Sequence, residues 1–298
     1  MLSTRNKPIN KSKLTLRDFT ILEYRKLLRL AKKNYNFASY NSIPWKKKFI
    51  LWRHDVDASL NRGLALAKIE HEEGLKSTYF INLHSQFYNV NEISQFKIIN
   101  KILSLGHEIG LHLDFSFYNI KSKKKLDQVI TYESKYLEYL FKKKPVAFSF
   151  HNPSTHSLSF DEDRYGGLIN CYSKKFKTNL AYISDSNGYW RFKRLKNILQ
   201  LAKDNSIQVL THPEWWQSKI LSPRQRILRS IYGRATANLE SYDSQMKLHK
   251  RINFNNLPKA LEKLHKIFFR MMLYDYRNKI IDTNKLIIIK KMFKKLIK

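Results

Sequence analysis

Several features are scarce in this sequence, and each absence excludes certain kinds of protein. The 298 residues include one cysteine, Cys171, so an intramolecular disulfide is excluded and a reducing compartment is expected. No run approaches the roughly 20 apolar residues of a membrane-spanning helix. The N-terminal stretch MLSTRNKPINKSKL lacks the apolar core of a signal peptide. The sequence therefore predicts a cytoplasmic globular protein.

Acidic residues are scarce as well, with 24 Asp and Glu against 56 Lys and Arg, a formal net charge of +32. The lysines are spread over predicted helix faces such as KSKKKLDQV, which favours a solvated surface, and no zinc-finger, ribonucleoprotein or basic-zipper motif indicates specific nucleic-acid binding. The basic amphipathic tail at residues 284–298 either packs on its own domain or makes a peripheral contact with the anionic inner face of the membrane.

Strand signals alternate with helix signals through the middle of the chain. The predicted strands are KKKFILWRHD, STYFINL, HEIGLHLD, VAFSFHN, LAYISD and SIQVLTHPEWW. The helix after the first strand is expected to begin after Ser59 and to stop at Gly74. Strands separated by such helices indicate right-handed crossovers and a parallel sheet or barrel, with function at the carboxyl ends of the strands.

Strand periodicity assigns the polar residues to faces. In the first strand, Asp55 and Asp57 share one side, and His112 and Asp114 do so in the third. Applied to every strand, the rule gathers these side chains at one mouth: Asp55, Asp57, His112, Asp114, His151, Asp185 and His212. Paired carboxylates repel each other unless a cation lies near, and oxygen and nitrogen ligands suit a divalent cation. One of the paired aspartates is therefore expected to bind the metal, with the other free as a base.

The motifs HDVD, GHEIGLH, SFHNP and LTHPEWW resemble those of the polysaccharide deacetylase (NodB-homology) superfamily, especially a divergent deacetylase-like branch encoded with surface-polysaccharide genes. The resemblance covers roughly residues 45–220. It implies an α/β fold, a distorted (β/α) barrel with fewer than the usual eight strands. The domains expected are an N-terminal helical extension at 1–44, the barrel at 45–220, and a basic helical C-terminal extension at 221–298 packed on the barrel.

The resemblance also implies roles for individual residues. It makes Asp55 the general base, Asp57 a metal ligand and His112 the first metal histidine. The family motif has another histidine four residues later, where this chain has Ser116. Asp114, on the same strand face as His112, is the candidate replacement, with the histidine of SFHNP behind it.

The last two motifs contribute further candidates. His212 matches the catalytic histidine that protonates the leaving amine, and His151 stands where relatives carry an arginine that orients the base. The residues expected to bind or orient the substrate are Arg53, His151, Asp185, Trp215 and Trp216. Other interpretations remain: Arg53 pairs with Asp55, Asp185 forms an Asx turn, and the tryptophans belong to the core.

These expectations combine into one predicted function. The resemblance implies a metal-dependent hydrolase, with Zn²⁺ the best-suited ion and other divalent ions as alternatives, that removes an acetyl group from an N-acetylated sugar or glycan precursor in O-antigen or capsule synthesis. Two alternatives are a glycan-binding barrel without turnover and a hydrolase of another carbon–nitrogen amide bond. The sequence predicts neither the sugar nor the oligomeric state.

Overall fold

A computed structural model describes residues 15–190 and 193–252. The strands are β1 Asn36–Phe37, β2 Phe49–Val56, β3 Thr78–Ile81, β4 Glu108–Leu113, β5 Ala147–Phe150, β6 Arg164–Tyr165, β7 Leu168–Asn170, β8 Ala181–Ser184 and β9 Ser206–Thr211. The α-helices are α1 Ile21–Asn34, α2 Leu60–Glu72, α3 Ile93–Ser104, α4 Lys123–Phe141, α5 Lys174–Asn179, α6 Leu195–Leu201 and α7 Pro223–Leu248.

Helix α2 shows how local sequence sets the bounds of an element beside the site. The Ser59 hydroxyl accepts the backbone N–H of Arg62 at 3.3 Å and caps the first turn. Gly74 follows the helix at φ +72°, in the left-handed region that favours glycine at a helix end. Both ends lie where the sequence predicted them.

The described strands form one sheet in the order β6-β7-β5-β4-β3-β2-β9-β8, with β1 added beside β2. All neighbouring pairs are parallel except the β6–β7 hairpin. Parallel pairing follows from the crossover helices, which return the chain to the same end of the sheet each time. The carboxyl ends of the strands therefore meet at one edge.

The sheet is strongly curled. Strands β2 and β5 are separated by β3 and β4, so a flat sheet would hold them about 14 Å apart. Yet Ser149 Oγ of β5 lies 3.3 Å from Asp55 Oδ1 of β2. Gln208 of β9 likewise donates from Nε2 to the carbonyl of Cys171, just after β7, at 3.2 Å. These contacts cross a lumen, and they confirm the predicted α/β fold of distorted barrel type. The expectation of fewer than eight strands was wrong for the described residues, whose sheet has nine strands because β1, β6 and β7 add short pairings.

Strand β2 is buried on both faces, and its residues alternate between two cores. Ile50 and Trp52 pack outward against α1 and α6, whereas Phe49 and Leu51 point into the lumen with Phe80 and other apolar residues. The cores on the two sides hold the strand ends rigidly. The functional side chains at its carboxyl end are thus carried by a fixed support.

Gly110 in β4 shows how closely the lumen is packed. A Cβ atom there would lie 2.5 Å from the Phe80 ring, so only glycine leaves room for that ring. The second glycine of the GHEIGLH motif, Gly110, is therefore required by the packing of the lumen two residues before His112.

The chain divides into two compact units, Met1–Ser230 and Ile231–Lys298. Helix α1, in the predicted N-terminal extension, belongs to the first unit and buries Tyr24, Leu27 and Leu28 in the core outside β2. The predicted amphipathic tail at 284–298 lies outside the described residues. Among the helices that are described, none combines the length and apolarity needed to cross a membrane.

Candidate metal centre and active site

Three side chains converge at the carboxyl edge of the sheet. Asp57 follows β2, His112 lies in β4, and His151 follows β5. Asp57 Oδ1 is 3.0 Å from His112 Nε2 and 3.2 Å from His151 Nδ1, and the two ring nitrogens are 3.2 Å apart. Three ligands placed tetrahedrally about 2.0–2.1 Å from one ion would be roughly 3.3 Å apart. The donor types and their spacing therefore fit a divalent cation such as Zn²⁺.

Hydrogen bonds orient the ligands from behind. His112 Nδ1 lies 2.7 Å from Ser149 Oγ, which leaves Nε2 directed at the cluster. His151 Nδ1 lies on the cluster side, and the side-chain amide nitrogen of Asn152 donates to His151 Nε2 at 2.9 Å. A partner that accepts the second ring N–H, as the Ser149 hydroxyl does for His112, fixes the ring orientation of a metal-binding histidine. His112 is thus oriented with Nε2 toward Asp57 and His151.

The charge of Asp57 suits a cation ligand. Burial disfavours its ionised form, but hydrogen bonds from His112 and His151 outweigh burial and hold the Asp57 pKa well below its ordinary value. The same contact with Asp57 raises the His151 pKa against the effect of burial. The carboxylate is therefore ionised throughout the neutral range.

A second pair lies beside the centre. His212 follows β9, and its Nδ1 is 2.6 Å from Asp185 Oδ1, while its Nε2 is 3.8 Å from Asp57 Oδ2. Burial lowers the pKa of His212, but the charge and hydrogen bond of Asp185 dominate and raise it to about 10. Fully buried Asp185 also accepts the backbone N–H of His212 and the indole N–H of Trp216, both at 3.0 Å. Asp185 therefore favours the protonated form of His212 and holds its Nε2 toward the centre.

Asp55 lies on the same face of β2 as Asp57 and contacts the centre from the lumen side. Its Oδ1 accepts from Ser149 Oγ at 3.3 Å, and its Oδ2 lies 3.5 Å from Arg53 Nη2. Arg53 also donates to the Tyr172 hydroxyl at 2.9 Å. Asp55 is thus next to the centre without belonging to its three-ligand group.

A cavity of about 460 Å³ opens at the centre. Polar groups at its floor include Asp55, Asp57 and His112. The aromatic and apolar residues that line it are Phe150, Leu158, Tyr172, Tyr182, Leu210 and Trp215. A cavity that combines aromatic walls with convergent polar groups is typical of a small-molecule or substrate site.

The structure departs from the expected ligand set at the third position. Asp114 is not part of the three-ligand group; its Oδ1 instead accepts the N–H and Oγ–H of Ser116 and the N–H of Phe117. Strand parity places Asp114 on the face of His112, but β4 ends at Leu113, so the carboxylate closes the following turn. His151, expected only behind Asp114, lies in the group with Asp57 and His112.

The other expected substrate residues are placed as follows. Trp215 lines the cavity, whereas Trp216 is fully buried, packs on Phe19 and Tyr24, and donates to Asp185. Trp216 therefore supports the Asp185–His212 pair from the core and is not available to stack on a sugar.

The sequence analysis did not include two residues that contact the candidate site, Ser149 and Tyr172. Ser149 shares the strand face of His151, so parity offered a signal for its contact with His112. Tyr172 follows the short strand β7, where no periodic pattern pointed to a strand. Its hydroxyl meets Arg53 only because the sheet curls.

Comparisons with known proteins give matches among solved structures alone, since no family model and no curated protein matches the chain. The Xyl-CE4 domain of a multidomain xylanase from the hindgut metagenome of Trinervitermes trinervoides aligns at 14% identity with a TM-score of 0.38, covering 64% of this chain and 84% of that one. The chitin deacetylase of Colletotrichum lindemuthianum aligns at 14% identity and 0.37, covering 63% and 83%.

A CE4 family pseudoenzyme from Bacillus anthracis aligns at 12% identity with a TM-score of 0.36, covering 64% of this chain and 62% of that chain. These neighbours thus include both deacetylases and a pseudoenzyme. Similarity at this level carries no assignment of activity, which must come from the chemistry of the site.

Proposed function

We propose that the protein is a metal-dependent hydrolase that removes an N-acyl group, in the first instance acetyl, from an amino sugar. The observation that carries the proposal is the convergence on one cavity of a His–His–Asp group that fits a cation, a second carboxylate outside that group, and a histidine bound to a buried carboxylate. Asp57, His112 and His151 would hold the ion, with Zn²⁺ the best match to these ligands. A bound divalent cation supplies Lewis-acid polarisation of the acyl carbonyl.

Asp55 is the proposed base. Its carboxylate, oriented by Ser149 and Arg53, takes a proton from the water that attacks the acyl carbon. It can do so because its oxygens are outside the ligand group and border the cavity.

His212 is the proposed acid. As the carbon–nitrogen bond breaks, His212 Nε2 gives its proton to the leaving nitrogen, so that the products are a carboxylic acid and a free amine. Asp185, bound to Nδ1 at 2.6 Å, keeps the ring oriented with Nε2 toward the centre. The aromatic part of the cavity wall, which includes Tyr182 and Trp215, would contact the substrate beside the reacting bond.

The proposed substrate is an N-acetylated sugar or glycan precursor of a surface polysaccharide such as O-antigen or capsule, acted on in the cytoplasm or at the inner face of the membrane. The resemblance of the sequence motifs supports this substrate, and the basic composition supports an encounter with an anionic surface.

A glycan-binding barrel without turnover is the second candidate. The observation that favours it is Ser116, which stands where the family motif has a metal histidine and is bound to Asp114 within a turn. Against it stands His151, which completes a three-ligand group from another strand.

One experiment separates the two candidates. The full chain is loaded with Zn²⁺, and acetate release is measured on N-acetylglucosamine, its oligomers and nucleotide-linked N-acetylhexosamines. The hydrolase predicts acetate and free amine in equal amounts, lost in Asp57→Asn. Metal-loaded protein that binds these sugars and releases no acetate would establish the binding protein instead.

A further inference from the structure

Phe117 is an exposed aromatic residue at the edge of the sheet that carries the site. It lies in the turn after β4, five residues beyond His112, and is 62% exposed. A lone exposed phenylalanine is ordinary on a protein surface. What sets this one apart is how firmly its surroundings hold it.

The backbone of the turn is fixed by Asp114. Oδ1 of Asp114 accepts the N–H of Ser116 at 3.1 Å, the N–H of Phe117 at 3.2 Å and the hydroxyl of Ser116 at 2.6 Å. Asn119 then takes a left-handed conformation, φ +47°, which an asparagine tolerates well. The turn therefore presents Phe117 in one orientation.

One face of the Phe117 ring is covered. The His84 ring lies parallel to it, with centroids 3.7 Å apart and planes at 17°. His84 Nε2 is in turn 2.6 Å from Oε1 of the buried Glu133, which also accepts the Tyr118 hydroxyl at 2.6 Å. The result is a rigid two-ring stack, backed from the interior, whose outer ring remains exposed.

The segment that carries His84 contacts the candidate metal centre. Ser85, next to His84, donates its hydroxyl to the backbone carbonyl of Asp57 at 2.8 Å. Five residues separate His112 from Phe117, so their Cα atoms are at most about 18 Å apart. Most of the cavity wall follows β5, β7, β8 and β9, whereas His84 and Phe117 follow β3 and β4. Phe117 therefore belongs to a different part of the sheet edge from most of the cavity wall.

We propose that Phe117, backed by His84, is a binding platform for a sugar ring beyond the one that is deacylated, so that the substrate is an oligosaccharide or a longer glycan. The inference rests on the proposed function for the class of ligand. The apolar C–H face of a pyranose fits a rigid aromatic ring, and phenylalanine, having no hydrogen-bonding group, adds affinity without selecting among sugar hydroxyls. A preorganised ring contributes affinity because little side-chain freedom is lost on binding.

The test is calorimetric binding of N-acetylglucosamine and its dimer and tetramer to the metal-free full chain, which needs no turnover. The wild type should bind the tetramer about tenfold more tightly than the monomer, the size of effect that one aromatic contact supplies. Phe117→Ala should remove that advantage and leave the monomer unchanged, and Phe117→Trp should keep it. Tyr139→Ala, which removes a 70% exposed aromatic residue on α4, is the matched control and should behave as wild type.

The outcomes distinguish this inference from the proposed function. Loss of the tetramer advantage in Phe117→Ala supports the platform even if acetate is never released. Equal affinity for monomer and tetramer in the wild type, or a tetramer affinity unchanged in Phe117→Ala, overturns it even if the protein proves to be an active deacetylase. Binding of none of these sugars by the wild type also overturns it.

Discussion

Successive residues of β2 point into two clusters of histidines and carboxylates that differ in how their hydrogen bonds are satisfied. Outside the sheet, Glu70 accepts His54 Nε2 and the Tyr24 hydroxyl on one oxygen and Ser77 and Tyr79 on the other, at 2.6 to 2.7 Å for His54, Ser77 and Tyr79. Glu70 and His54 are almost fully buried. Every oxygen of this carboxylate has its donors, so the cluster needs nothing more.

At the carboxyl edge of the sheet, the inner cluster consists of Asp57, His112 and His151, whose nitrogen and oxygen atoms lie around one point. Two imidazole nitrogens and a carboxylate oxygen lie 3.0 to 3.2 Å from one another, and the cavity adjoins them. The comparison shows that a cluster of histidines and carboxylates does not by itself identify a functional site. A saturated carboxylate with all its donors present holds the fold, whereas nitrogens and oxygens that converge on a shared point beside a cavity indicate a ligand.

The largest expected effect comes from breaking the inner cluster. Asp57→Asn and His112→Ala each remove one ligand of the three, and both should abolish metal retention and acetate release while the fold survives. Metal analysis and thermal unfolding of the same samples make the measurement. Glu70→Gln is the control from the outer cluster and should retain its metal; equal metal content in all three variants would contradict the comparison.

Disrupting the outer cluster, which is Glu70 with its four donors, should instead lower the stability of the fold. Burial raises the Glu70 pKa, but the neighbouring His54 and His107 and the hydrogen bonds outweigh it and lower the pKa from 4.5 to about 2. A carboxyl with a lowered folded-state pKa stabilises the fold above its unfolded value, and the effect is lost as pH falls toward the folded value. The shift corresponds to a contribution on the order of 3 kcal/mol at neutral pH.

Glu70→Gln should therefore lower the free energy of unfolding at pH 7, since the amide cannot accept on both oxygens from His54, Ser77 and the two tyrosines. Its stability should also depend less on pH between about 4.5 and 2, where the wild type loses the Glu70 contribution. Denaturant unfolding at a series of pH values makes the measurement. A stability difference between variant and wild type that stayed constant down to pH 2 would exclude this role for Glu70.

A smaller effect is expected from the proton-transfer residues. Asp55→Asn keeps the shape and should leave the metal bound, but it removes the base, so turnover should fall by about 10²-fold. His212→Ala should lower it by a similar factor. Steady-state rates of acetate release on metal-loaded protein make the measurement, and unchanged rates in both variants would remove these residues from the mechanism.

The smallest effect is expected at Asp114. Asp114→Ala removes three hydrogen bonds from the turn that carries Phe117 and touches none of the three ligands. The tetramer of N-acetylglucosamine should bind a few-fold more weakly, with monomer binding unchanged. Calorimetry on Asp114→Ala and Asp114→Asn separates the roles, since Asn retains an oxygen acceptor; weaker binding of the monomer would place Asp114 at the centre.

The sequence alone predicted much of this arrangement, because the signals involved are local. The Ser59 cap, the Gly74 stop and the alternation along β2 depend on neighbouring residues and appear in the structure as expected. Parity likewise placed Asp55 and Asp57 on one face. These features required no knowledge of how distant strands meet.

The rest depends on curvature and on where strands end, which the sequence pattern does not encode. Parity cannot show that β4 ends before Asp114, so a residue on the correct face formed a turn instead. The choice of His151 depends on the curl that brings β5 toward β2, and Trp216 is turned to the core by Asp185. Strands β6 and β7 are too short for any periodic pattern to predict.

The central claim is that Asp57, His112 and His151 form a metal centre, and zinc analysis of dialysed full-length protein tests it most directly. We expect about one ion per chain in the wild type and in Asp114→Ala, and almost none in His151→Ala. The reason is that His151 belongs to the group with Asp57 and His112, whereas Asp114 does not. Zinc retained in His151→Ala and lost in Asp114→Ala, or no zinc in the wild type after loading, would contradict the account.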